Sequence, residues 1–258
     1  MHVELRFYAQ LNFFIAHAKQ QKTFTLELFH PASIKDLIES QGVPHTEIGF
    51  LLANGQSVGF DYLLADSDRI SVFPDFHTLP VSEISKMNHG FPGEPKFILD
   101  GHLGKLASYL RLLGFDTLYP NQADDEELAR LAASDRRILL SRDRGLLKRK
   151  SVIFGGYVRN TDPQKQIAEV FHRYNLADYL HPFTRCAICN GILIEVLKSS
   201  VQADLPQHTR DSIERVWQCV ICKKMYWRGS HMAGIERLFT EISTLISITP
   251  SKTKKVAN

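Results

Sequence analysis

No stretch of this 258-residue chain comes near the roughly 18 consecutive apolar residues that a membrane-crossing helix needs, which excludes a helical integral membrane protein. The opening Met-His-Val-Glu-Leu-Arg carries neither the basic start nor the apolar run of a secretory signal, so a cytoplasmic protein is expected. Internal repeats and long low-complexity tracts are missing, which argues against a solenoid or a largely disordered chain. Cysteine is absent from the first 185 positions, so no disulfide framework holds most of the molecule. Neither sign of charge dominates, at 31 Lys+Arg against 28 Asp+Glu. What remains is an ordinary soluble composition, 44% hydrophobic and 23% charged, long enough for one large domain or several small ones.

The balance of charge hides an asymmetry. Residues 1–95 carry 6 basic against 11 acidic side chains, residues 96–182 carry 14 against 11, and residues 183–258 carry 11 against 6. A polyanion such as nucleic acid would be drawn to the last two thirds and repelled by the first.

Residues 1–80 alternate like a sheet: Val3, Leu5 and Phe7 are interleaved with Glu4 and Arg6, and Phe24, Leu26 and Leu28 with Thr25 and Glu27. Ser33 is placed to cap a short helix through Ile34, Leu37 and Ile38 that Gly42 and Pro44 end. Strands follow at 50–53 and 69–73, with a turn at Asn54-Gly55. Two strands, a helix and two more strands make a β-grasp. Prolines and glycines then mark residues 81–95 as a linker.

From 96 to 182 the texture changes to short apolar strands alternating with helices. Phe97-Ile98-Leu99 ends on Asp100, and Leu103, Leu106, Ala107, Leu110 and Leu113 recur at helical spacing before Gly114. A strand at 115–119 is followed by a helix capped by Asp124 or Asp125, then by an apolar strand at 138–140 ending in Ser141-Arg142-Asp143. A strand at 152–154 and a helix from about Pro163 to Tyr174 complete an α/β pattern with a parallel sheet. The remainder divides into a cysteine-bearing module at 183–250, ending in an amphipathic helix over 235–248, and a disordered basic tail at 251–258.

Cys186-Ala-Ile-Cys189 and Cys219-Val-Ile-Cys222 are two C-x-x-C knuckles in a chain expected to be cytoplasmic. Four thiolates fill a tetrahedral zinc shell and leave no open position, so a structural zinc is expected. Lys223, Lys224, Trp227 and Arg228 flank the second knuckle and suit phosphate and base contacts. Trp227 packing into the module's core is the alternative.

Asp100 and Asp143 each end a strand, and the carboxyl ends of parallel strands converge on the ligand crevice. Asp124 and Asp125 open a helix near the same edge. Carboxylates gathered there would form a hard oxygen site for magnesium or manganese, suited to phosphodiester hydrolysis. Each also has a structural use, since aspartates cap helices and initiate turns. A basic rim of Lys105, Arg142, Arg144, Lys148, Arg149 and Lys150 suits RNA around that acidic centre.

These segments together resemble the Mut-seven C-terminal (Mut7-C) RNase family. The resemblance is carried by Phe97-Ile-Leu-Asp-Gly-His-Leu-Gly-Lys-Leu-Ala107, Leu110-Arg-Leu-Leu-Gly-Phe-Asp116, Asp124-Asp-Glu-Glu-Leu128 and Arg137-Ile-Leu-Leu-Ser-Arg-Asp-Arg-Gly-Leu-Leu147. The two knuckles, with Asn190-Gly191 and Tyr226-Trp227, are similar to its zinc ribbon. The resemblance implies a PIN-like nuclease, RNA as substrate (tRNA or rRNA included), and Mg/Mn on Asp100, Asp125 and Asp143, with Asp124 as the other candidate of its pair. Asn160 and Asp162 are the nearest candidates for a further polar group. Residues 1–80 are similar to the family's ubiquitin-like domain, akin to small sulfur carriers. Such carriers use a C-terminal Gly-Gly that this segment lacks, so a protein-binding or supporting role is expected instead. A non-catalytic RNA- or ribosome-binding protein is the alternative reading of the whole.

Overall fold

A computed structural model describes residues 1–75, 85–87, 93–201, 205, 207, 210 and 215–227. Most of the expected linker, the helix expected over 235–248, Arg228 and the basic tail lie outside the described residues.

The N-terminal segment is a β-grasp. Strands β1 (His2–Phe7), β2 (Phe24–Glu27), β3 (Phe50–Ala53), β4 (Gln56–Ser57) and β5 (Arg69–Phe73) form one sheet in the order β2-β1-β5-β3-β4, with helix α1 (Ile34–Ser40) after β2. β1 and β5 run parallel at its centre, and the other pairs are antiparallel. The alternation read in β1 is realised: Val3, Leu5 and Phe7 are buried with Ile34, Leu37, Ile38, Leu51, Ile70 and Val72. Truncating one of these large side chains to alanine would cost about 2–5 kcal/mol. Ser33 caps α1 by accepting from Asp36 N at 3.1 Å. Gly42 ends the turn at φ +98°, where a Cβ would also stand 2.9 Å from Phe14 O. Between β1 and β2 the chain forms a 3-10 helix, Ala9–Phe14, that buries Leu11 and Phe14 and makes the connection longer than a simple hairpin. After β5 the chain does not swing free: Gly49 N donates to Phe73 O at 3.0 Å, and Pro74 is buried.

The next segment alternates strand and helix: β6 (Phe97–Leu99), α2 (Gly104–Leu112), β7 (Thr117–Leu118), α3 (Asp125–Ser134), β8 (Ile138–Ser141), α4 (Arg144–Leu147), β9 (Gly155–Tyr157) and α5 (Pro163–Arg173). β6 pairs with β7, and β8 with β9, both in parallel. Every residue of β6 and β8 is buried, as expected of parallel strands covered on both faces. The strand expected at 152–154 lies instead at Gly155–Tyr157. Val152 is fully buried but stands outside the ladder. Gly155 packs closely there: a Cβ would sit 3.0 Å from Leu147 Cδ2 and 3.2 Å from Leu139 O.

The cysteine-bearing segment is a three-stranded antiparallel sheet of β10 (Leu193–Val196), β11 (Val216–Cys219) and β12 (Met225–Trp227), with a short helix α6 (Lys198–Val201) after β10. Paired side chains alternate between its faces. Leu193, Cys219, Trp217 and Tyr226 share the cysteine side, while Val196, Val216, Met225 and Trp227 pack with Val201 and Leu205 on the other.

The chain divides into two compact units: Met1–Glu94 with Gln122–Tyr157, and Pro95–Asn121 with Val158–Asn258. The first unit therefore holds the β-grasp together with α3, β8, α4 and β9. The second holds β6, α2, β7, α5 and the cysteine segment. None of the described helices is long and apolar enough to cross a membrane.

Candidate metal centres

The four cysteines meet. Their sulfurs all lie within 4.8 Å of one another, with Cys186 and Cys222 at 3.5 Å and Cys189 and Cys219 at 3.4 Å. A Zn–S length of about 2.3 Å sets the edge of a regular tetrahedron at about 3.8 Å, so the donor set fits zinc. The pairs are too far apart for disulfides, whose sulfurs stand at about 2.05 Å.

Both knuckles fold the same way. Asn190 N donates to Cys186 O at 2.9 Å and Lys223 N to Cys219 O at 3.1 Å. The residue after each second cysteine, Asn190 at φ +65° and Lys223 at φ +60°, turns left-handed to close the loop. Cys186 N and Cys219 N are held by Gly191 O at 2.8 Å and Lys224 O at 2.9 Å. Gly191 has room for no side chain, since a Cβ would meet Cys219 Sγ at 2.9 Å.

The surroundings favour thiolate at one end of the cluster. Burial pushes the Cys186 thiol up, but the Tyr226 hydroxyl at 3.1 Å and backbone amides of the knuckle pull it down to about 7. Around Cys222 the Lys224 amide lowers the thiol, yet burial and the three neighbouring sulfurs raise it to about 12. Tyr226 is itself raised, by burial and by the Cys186 sulfur. A dication at the centre would displace the remaining protons, so loading releases protons and weakens in acid.

A buried arginine ties this knuckle to the strand-helix part of the same unit. Arg111, on α2, donates through Nη1 to Ala187 O at 3.1 Å and Ile188 O at 2.8 Å, and through Nε to Thr117 O at 2.9 Å. Burial lowers its pKa, while Cys186 and Cys189 oppose that shift. Asn190 completes the joint, accepting from Thr117 N at 3.1 Å and donating to Asp116 Oδ1 at 2.7 Å. Sequence reading noticed neither Arg111 nor Asn190 as functional. An arginine inside an apolar helical stripe was the signal available.

Asp100 follows β6, is 7% exposed, and accepts from His102 N at 3.0 Å through Oδ1. Asp124 is the N-cap of α3, its Oδ1 accepting from Glu127 N at 2.8 Å. That leaves Asp125, the first residue of the helix and half-buried, as the member of the pair not spent on the cap. Asp143 follows β8 and caps α4: Gly145 N at 2.6 Å and Leu146 N at 3.4 Å both donate to Oδ1. The cap does not use Oδ2. Asp162 caps α5, and Asn160 is gripped by Glu169 at 2.8 Å.

The basic rim splits. Lys105, Arg149, Lys150, Lys223 and Lys224 are exposed, and Arg142 is half-buried. Arg144 and Lys148 are turned into the β-grasp instead. Arg144 Nη1 donates to Phe14 O at 3.0 Å, with its guanidinium over the rings of Phe13, Phe14 and Tyr157, and Lys148 Nζ donates to Glu39 O at 2.6 Å. Both are expected RNA contacts, and in this structure each donates to a backbone carbonyl. Trp227 belongs to the apolar cluster on the sheet face away from the cysteines, so the core alternative describes it better than base stacking. Trp217, not singled out in the sequence, stacks on Phe183 at 5.0 Å with Arg215 over its ring.

Comparison with known proteins agrees with this architecture. The family model described as Mut7-C RNAse domain matches residues 95–239, and the one described as Mut7-C ubiquitin matches residues 1–80. A comparison with curated proteins finds no match. Among solved structures, the crystal structure of SAMP1 from Haloferax volcanii aligns over 30% of this chain and 98% of its own, at 18% identity and a TM-score of 0.24.

Proposed function

Because the chain belongs to the Mut7-C RNase family, we propose that it is a ribonuclease that hydrolyses RNA phosphodiester bonds at Asp100, Asp125 and Asp143. The match of the RNase family model across residues 95–239, which spans all three carboxylates, carries the reading. Magnesium or manganese bound there would lower the pKa of a bound water and offset charge developing on the phosphate. The donor chemistry suits such an ion, since carboxylate oxygens are the hard ligands it prefers. Asp143 can cap α4 with Oδ1 and still offer Oδ2, so its structural use does not disqualify it. Asp124 is the weaker candidate of its pair because Glu127 N already occupies one oxygen.

Zinc is the ion proposed for the cysteine quartet, in a structural role. Four sulfurs close the shell, so substrate has no place to enter it. RNA would be held by Lys105, Arg142, Arg149 and Lys150 near the aspartates and by Lys223 and Lys224 at the second knuckle. Arg228 could join them from outside the described residues. Four clustered cysteines that serve a metal rather than disulfides favour a cytoplasmic setting.

A non-catalytic RNA-binding protein is the rival. It is favoured by one observation, that Asp124 and Asp143 both do capping work that would keep an aspartate in place without chemistry. Labelled single-stranded and structured RNAs incubated with the protein, its Asp100→Asn and Asp143→Asn variants, and chelator separate the two. The nuclease reading expects cleavage that both substitutions and chelator remove. Salt-sensitive binding without turnover, indifferent to Asp143→Asn, would establish the rival.

A further inference from the structure

Helix α4 is four residues long, far too short to hold itself together. Its own bonds include the two amides that Asp143 receives through Oδ1, so whatever steadies α4 also steadies that carboxylate. Four contacts from the β-grasp converge on α4, on β9 behind it and on the loop before β9. Arg144 reaches across to Phe14 O, at the end of the 3-10 helix Ala9–Phe14, and its guanidinium lies 5.5, 5.1 and 5.8 Å from the ring centres of Phe13, Phe14 and Tyr157. Lys148 donates to Glu39 O in the last turn of α1, where the helix presents its negative end to a cation. Behind them Glu47 Oε1 accepts from Tyr157 N at 2.7 Å, and His45 Nε2 contacts Val152 O at 2.8 Å. The last two bonds fix β9 and the loop before it, and Leu147 packs on β9 at Gly155.

We propose that the β-grasp is the positioning element of the Asp143 turn, acting through Arg144 and Lys148 rather than serving only as a separate docking module. The positioning of a catalytic carboxylate rests on the nuclease reading above, whereas the clamp itself does not. Two helix ends of the β-grasp present the carbonyls of Phe14 and Glu39, and cations from the segment after Asp143 fill them. The rings of Phe13, Phe14 and Tyr157 add an aromatic box around the guanidinium, a cation that such rings attract. The basic residues flanking Asp143 thus divide by direction. Arg149 and Lys150 face solvent and are available to a polyanion, while Arg144 and Lys148 hold the turn in place.

The test is amide hydrogen exchange on the full chain, compared between the unmodified protein and Phe13→Ala, Lys148→Met and Phe13→Tyr. Phe13 is on the β-grasp side and is half-exposed at 47%, so its replacement alters the clamp without touching a charge or a carboxylate. Exchange across residues 144–148 should speed up about tenfold or more in Phe13→Ala and in Lys148→Met, with β1 and β5 amides unchanged, and Phe13→Tyr should restore it. Turnover on RNA, measured alongside, should fall at least fivefold in kcat with KM unchanged. Unaltered exchange in both variants overturns the clamp. A raised KM and a shallower salt dependence, with exchange and kcat intact, would also overturn it, because Lys148 would then be an RNA contact. If the unmodified chain cleaves no RNA, the nuclease reading fails and the exchange result alone decides the clamp.

Discussion

The cysteines and the aspartates are both sets of acidic ligands, yet the structure treats them oppositely. Four sulfurs gather within 4.8 Å, each knuckle shaped by a left-handed residue that exists to bring them together. Asp100, Asp124 and Asp143 are each drawn into a local bond, to His102 N, Glu127 N and the start of α4, and Asp125 is the member of its pair left off the cap. A thiolate quartet has little purpose besides a metal, so its geometry is self-explanatory. An aspartate has two oxygens and can cap a helix with one while offering the other. Geometry around a carboxylate therefore says less about chemistry than geometry around a thiol.

Four measurements would break or sharpen that contrast. The largest effect is expected from Cys219→Ser. Structural zinc contributes about 10–16 kcal/mol in small modules, so this variant should lose bound metal by elemental analysis and lose the β10–β12 sheet by hydrogen exchange. Full zinc retention would show that three sulfurs suffice. Next is Arg111→Met, which strands the carbonyls of Thr117, Ala187 and Ile188. A loss of about 3 kcal/mol in denaturant unfolding and faster zinc transfer to a chromogenic chelator are expected. Equal transfer rates would mean the arginine only packs. Third is Asp143→Asn. Asparagine caps nearly as well as aspartate, so unfolding should barely change while cleavage drops about a hundredfold or more. A matched loss of stability would reassign the residue to structure. The smallest effect is expected from Asp124→Ala, about 1 kcal/mol in unfolding with cleavage retained. Abolished cleavage would put Asp124, not Asp125, at the metal.

Much of the fold was legible because its signals were local. β3, β5 and β6 fall where alternation or short apolar runs place them, Ser33 caps the helix it was placed to cap, and of the two aspartates offered for α3 the cap is Asp124. Gly114 ends α2 at φ +101°, where a Cβ would lie 2.2 Å from His181 O. The knuckles were legible for the same reason, since spacing alone fixes a C-x-x-C loop. What was hidden depended on neighbours distant in the chain. Nothing near Arg144 announces that Phe14, 130 positions earlier, will accept its hydrogen bond. Nothing near Arg111 announces Ala187. β9 was misplaced by three residues because burial was visible in Val152 but the close approach of Leu139 O, which only glycine tolerates, was not. Deletion of residues 1–90, which removes the carbonyls that seat Arg144 and Lys148, should therefore reduce cleavage.

The Arg111 joint also orders events in time. Cys222 follows Arg111 by 111 positions, a delay of roughly 6–22 s at translation rates of about 5–20 residues per second. Until the second knuckle has left the ribosome, the carbonyls of Ala187 and Ile188 have no completed loop to hold them against the guanidinium. With zinc as the ion proposed for the quartet, the second unit would close late, and metal supply during synthesis would gate the birth of the folded protein rather than its later stability alone.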